Sequence, residues 1–137
     1  MNIMQMENGI MNIKKQQDKD LLLKYLCMAL PYGVKCRQFK LDSQICTLTA
    51  DLLNSVNNLE PYLRPMSSMT DEEKMEFDNF CVIDELVWKG NSDIGYKNQA
   101  IIMSNAIIWL LKKHFDFMDL IAKGLALEAS EENNPYK

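Results

Sequence analysis

The chain has one histidine and five scattered glycines, and these shortages exclude much chemistry. The cysteine nearest to His114 in sequence, Cys81, lies thirty-three residues away, and Cys27, Cys36, Cys46 and Cys81 form no Cys-x-x-Cys pair. A zinc site, which needs several closely placed nitrogen or sulfur ligands, is not indicated. Neither a P-loop nor a dinucleotide fingerprint is present, so nothing points to a phosphate cradle. There is no Gly-x-Ser-x-Gly elbow, and Ser67 and Ser68 precede a helix start, where serines serve turns and caps. The longest apolar stretch, Ala100 to Leu111, is interrupted by Ser104 and Asn105. It falls well short of the roughly 20 residues that cross a bilayer as a helix, so it reads as a core helix. No catalytic, cofactor-binding or metal-ligating residue is assigned, and the protein is expected not to be an enzyme.

What is there describes one domain. A chain of 137 residues with 47% hydrophobic and 25% charged residues is able to bury a single core without a staple. The net charge of -4 is unevenly spread, with +2 over residues 1–65 and -6 over residues 66–137. A weakly basic first half and an acidic second half predict two electrically different faces. With no secretory leader read at the N-terminus, the cysteines are expected to be reduced thiols in the cytoplasm of a host cell.

The predicted fold class is α+β: a small bent antiparallel sheet, a hairpin plus an edge strand of the small-barrel kind, packed with an N-terminal helix and two or three C-terminal helices. Residues 1–16 read as a flexible tail, residues 17–129 as the domain and residues 130–137 as a flexible acidic tail. Asp18 is the expected N-cap of a helix carrying Leu22, Tyr25, Leu26 and Ala29, which Pro31 and Gly33 stop. Val34–Leu41 and Gln44–Ala50 read as a hairpin. With Leu41 opposite Gln44, Cys36 and Cys46 would point to opposite faces and share neither metal nor disulfide. Pro61 and Pro65 lack amide donors, which suits Leu59–Pro65 to a sheet edge.

Thr70-Asp-Glu-Glu73 has the capping-box pattern, and the helix it opens should turn Phe77, Phe80, Ile83 and Val87 inward until Gly90. Asn91–Asn98 reads as a polar loop. The next helix, from about Asn98 to Lys113, is apolar nearly all round and therefore predicted to be central in the core. His114 is expected to satisfy its last carbonyls with imidazolium or ring N–H groups. A short last helix using Phe117, Leu120, Ile121 and Leu125 follows.

Two surfaces are candidate partner sites. Asp71, Glu72, Glu76, Asp84 and Glu85, with Trp88 as an anchor, give an acidic helix face able to meet a basic protein surface. Lys35, Arg37 and Lys40, with Phe39 between them and Arg64 on the next strand, give the alternative, a basic hairpin for nucleic acid. Charged helix faces and edge-protecting lysines account for the same residues without any partner.

Three blocks, Leu30–Lys35, Tyr62–Lys74 and His114–Ala129, resemble a family of small proteins of phages and prophages of gut anaerobes. The likeness covers about a quarter of the chain. It departs inside the last block, where a paired histidine, an arginine and a glycine give way to Lys113, Met118 and Asp119. The resemblance implies a phage or mobile-element accessory protein and carries no catalytic residue. The expected function is non-enzymatic binding of a host or phage macromolecule, a protein first and nucleic acid second, with inhibition of a CRISPR-type host defence as one form. No membrane partner is expected.

Overall fold

The computed structural model describes residues 3–38, 44–81 and 93–136. Helix α1 (Ile3–Ala29) leads into a 3-10 turn, Leu30–Tyr32, and then strands β1 (Lys35–Gln38) and β2 (Gln44–Thr47). A kinked 3-10 segment, Ala50–Asn58, precedes β3 (Leu59–Leu63). Helices α2 (Asp71–Cys81) and α3 (Asp93–Lys112) and a short β4 (Leu127–Glu128) follow. The fold is α+β, as the sequence predicts, with one open mixed sheet in the order β2-β1-β3-β4.

Helix α1 reaches back to Ile3, well before the expected cap at Asp18. No proline interrupts residues 3–29, and Met, Gln, Glu and Lys are good helix formers, so the helix continues through the segment before Asp18. Leu22, Tyr25, Leu26 and Ala29 are buried as the spacing requires. Gly33, with φ 69°, supplies the left-handed turn after Pro31 that releases the chain into β1.

The hairpin register differs from the sequence expectation. Cys36 pairs with Cys46 and Gln38 with Gln44, so five residues, 39–43, connect the strands and every β2 side chain changes face. The deciding factor is burial: Val34, Cys36, Leu48, Leu59 and Leu63 then share one core with α1. Lys35 and Thr47 form an outer pair, as do Arg37 and Ile45.

Strand β3 is interior, against the expectation of an edge. Leu48 N–H donates to Val34 O at 2.9 Å, so by alternation Val34, Cys36 and Gln38 turn their amides to β2 while Lys35 and Arg37 face β3. Pro61, opposite Cys36, therefore needs no donor toward β1. On its other flank the parallel pairing with β4 begins only at Tyr62. A proline fits an interior strand because its missing N–H falls where no ladder bond is due.

The capping box forms as predicted: Glu73 N–H donates to Thr70 Oγ1 and Thr70 N–H to Glu73 Oε1, both at 3.1 Å. Helix α3 begins at Asp93, inside the expected loop, and only its last turns enter the core. Trp109, Leu110 and Phe115 make a second cluster, with Trp109 stacked on Phe115 at 5.8 Å and edge-on to Phe77 at 5.2 Å. The expected ends of α2 at Gly90 and its inward Ile83 and Val87 lie outside the described residues.

His114 ends α3 through its backbone, not its imidazole. It has φ 64°, Phe115 N–H bonds back to Leu110 O at 2.9 Å and His114 N–H to Leu111 O at 3.1 Å. This is the left-handed helix exit usually given to glycine, sealed by Phe115 packing with Leu110. In place of the predicted last helix, the Asp116 carboxylate accepts from Leu120 N–H at 2.8 Å and Ile121 N–H at 2.9 Å and closes a turn. Gly124, φ 75°, repeats the same exit geometry, with Leu125 N–H bonded to Leu120 O at 2.9 Å.

Candidate functional site

Among the described residues, a cleft around His114 and the exposed faces of α2 and α3 hold side chains with chemistry to offer. The cleft, about 750 Å³, opens between Arg64–Thr70, Lys112–His114 and the chain from Glu128 to Tyr136. Its floor is set by the C-terminal segment, which the sequence analysis treats as a flexible tail. Tyr136 lies flat on His114, with ring centroids 3.8 Å apart and planes 7° from parallel. Its hydroxyl accepts from Lys35 N–H at 2.9 Å and donates to Tyr62 O at 2.7 Å.

That hydroxyl occupies a rung of the sheet. The β1–β3 register pairs Arg37 with Glu60, so the next bonded rung would join Lys35 to Tyr62. Tyr136 bridges the two groups instead, and β3 then finds new neighbours: Arg64 N–H donates to His114 O and Asp116 N–H to Arg64 O, each at 2.8 Å. Burial pushes the Tyr136 phenol up, so it stays a donor. The missed signal is visible in hindsight as an aromatic residue among polar ones after Ser130.

His114 is held neutral. Burial, and after it the Arg64 guanidinium, bring its pKa down from 6.5 to about 4. Its Nδ1 is buried and has no hydrogen-bond partner among the described residues. An unfolded chain takes up a proton near pH 6.5 that the native imidazole refuses until about 4. The stability contributed by neutral His114 is thus complete above pH 6.5 and disappears as pH falls toward 4. His114→Asn should flatten the stability curve across that window while leaving the fall below it, which is complete only as native Glu73 takes up its proton near pH 2. Urea midpoints of both proteins from pH 7 to 4 check this; parallel curves would refute it.

Arg64 is engaged by its own domain. Its guanidinium donates to both Glu73 oxygens at 2.8 and 2.7 Å and lies 4.1 Å from the centre of the Phe115 ring. These bonds to Arg64 hold the Glu73 carboxyl well below the usual range, at about 2. Of the other basic residues proposed for nucleic acid, Arg37 is paired with Glu60 at 2.9 Å, and Lys35 donates its ammonium to Thr47 Oγ1. Phe39 and Lys40 lie outside the described residues. Lys35 and Arg37 do share the outer face, but Arg64 is turned to Glu73.

The acidic face is partly assembled. Asp71 and Glu72 are exposed at the start of α2, with Asp71 3.7 Å from Lys74. Glu76 lies 3.4 Å from Lys113 Nζ and accepts from Trp109 Nε1 at 3.4 Å. Asp84, Glu85 and Trp88 lie outside the described residues.

Helix α3 carries a feature that periodicity alone does not reveal. Tyr96, Ala100, Met103 and Ile107 fall within one narrow stripe of α3, spaced four, three and four, and all are exposed. Met103 is 56% exposed, Ile101 42%, and Met75 on α2 68%. The sequence puts this helix at the centre of the core; among the described residues, apart from Gly95, only its last turns are buried. An all-round apolar helix at a surface is unusual in a monomer. Phe80, expected inward, is also exposed.

Among the described residues no group of His, Cys, Asp and Glu is placed to hold a metal ion, and no helix is long and apolar enough to cross a membrane. The chain matches no family, no curated protein and no solved structure with which it was compared.

Proposed function

We infer that this protein works by binding another protein, without turnover, through the exposed apolar face of α3. The reading is carried by the exposed apolar stripe of α3, which lies on the side of that helix turned away from the Trp109 and Lys113 contacts with α2. Burying side chains of this size is worth about 1.5–3 kcal/mol each when they leave water completely. The matching partner surface is apolar, such as one face of an amphipathic helix. A phage protein that docks on a host defence complex is one concrete form. The described residues favour no nucleic-acid reading, since Arg37 and Arg64 are each held by a carboxylate.

The test is affinity capture from host lysate with the wild type and with Met103→Glu and Ile107→Glu. Substitutions at such exposed positions should change stability by no more than about 0.5 kcal/mol. The captured protein should be lost with both variants, and its retention with salt-insensitive yield would refute the reading.

A further inference from the structure

The corrected hairpin register brings two thiols together. Cys36 and Cys46 are direct cross-strand partners, and both are free thiols. Because Leu48 N–H bonds to Val34 O, two residues away on each strand, the cysteines occupy a bonded rung. Their Cα atoms are then ~5.5 Å apart, inside the ~4.4–6.8 Å range of disulfides, and the Cβ atoms of such a rung, also ~5.5 Å apart, must draw together by about 1 Å for the bond to close. Cys46 Sγ already lies over the first strand, 3.7 Å from Cys36 O.

Their environments divide the labour. Cys36 is fully buried, whereas Cys46, on the edge strand β2, is only half-buried. Burial, and then the neighbouring Cys46, push the Cys36 thiol up to about 12, so by itself it is inert toward reagents in solution. A reagent that cannot reach Cys36 can still reach it through Cys46.

We propose that Cys46 and Cys36 form an oxidation site at which small disulfides, of the glutathione class, install an intrachain bridge between β1 and β2. The Cys46 thiolate attacks one sulfur of oxidised glutathione, the S–S bond breaks, and one glutathione thiolate leaves. Cys36 then passes its proton to that thiolate while its sulfur attacks Cys46 Sγ, expelling the second glutathione. Two protein thiols lose two electrons in all, and one small disulfide becomes two thiols. The bridge would lie one residue from Lys35, whose N–H holds Tyr136, so it acts on the strand that anchors the C-terminal segment. This site is independent of the exposed face of α3.

Reduced full-length protein, incubated with oxidised glutathione, acid-quenched and analysed by intact mass and peptide mapping, tests the proposal. The expected product is a monomer lighter by two hydrogen atoms in which the Cys36 and Cys46 peptides are joined. Cys27→Ser should leave its yield unchanged, and Cys46→Ser should abolish it. Because Cys46 is only half-buried, the second variant keeps the test open even where a change at Cys36 prevents folding. A stable glutathione adduct on Cys46 with no bridge, or oxidation confined to Cys27, overturns the proposal.

Discussion

Tyr136→Ala is expected to destabilise the protein by about 3 kcal/mol, in the range for removing a large packed aromatic. The change deletes the ring that covers His114 and leaves Lys35 N–H and Tyr62 O facing each other across a gap. Tyr136→Phe separates the two contributions. It keeps the stacking, removes only the bridging hydroxyl, and should cost about 1–2 kcal/mol, appropriate to two net hydrogen bonds. Urea denaturation at pH 7 measures both. Equal midpoints for wild type and Tyr136→Ala would mean that the C-terminal segment does not hold the sheet. An intermediate result for Tyr136→Phe would apportion stacking against bridging.

The second large effect concerns Arg64. Replacing it with Met keeps the side chain's length but strands the Glu73 carboxylate, which then retains only its capping role toward Thr70. Both partners are mostly buried, with side chains 22% and 16% exposed, so the cost is expected near ~3 kcal/mol, at the lower end for breaking a buried pair. Arg64→Lys should recover only part of it, because an ammonium cannot make both bonds at once or lie flat on Phe115. The double variant Arg64→Met with Glu73→Gln should be less destabilised than the sum of the single changes, since the stranded charge is removed. A strictly additive cycle would show that the pair is not coupled.

Glu73 is a good place to see what a sequence can disclose. Its capping role is local, three residues from Thr70, and is legible from the pattern alone. Its bond to Arg64 depends on how β3 meets α2, and no spacing announces it. The same division holds elsewhere. Pro31 and Gly33 mark the end of α1 by local chemistry, and the face carrying Leu22, Tyr25, Leu26 and Ala29 follows from a helical period.

The hairpin is legible as a hairpin, but its register is not. Both faces of Val34–Leu41 carry apolar and polar residues, so alternation does not choose between a short and a longer connection. The choice falls to the distant Leu59 and Leu63, which need Val34, Cys36 and Leu48 beside them. The errors over α3 and the C-terminal segment have another origin. Apolar content measures the tendency to leave water and is silent about whether the shelter lies within the chain or on a partner. Tyr136 finds its partners at Lys35 and Tyr62, 101 and 74 residues earlier, beyond the reach of any local rule. Of the candidate sites, the acids at the start of α2 were legible, while the apolar stripe of α3 needed the fold.

The manner in which β3 is completed bears on when the protein can mature during synthesis. Its flanks are filled by β1, by the Tyr136 hydroxyl, by residues 114–116 and by β4, three of which are translated long after β3 itself. A ribosome that has released only the first hundred residues exposes a strand with one finished side. Closure between such widely separated stretches is slow relative to helix formation. The nascent chain therefore carries an open strand edge until Tyr136 has emerged.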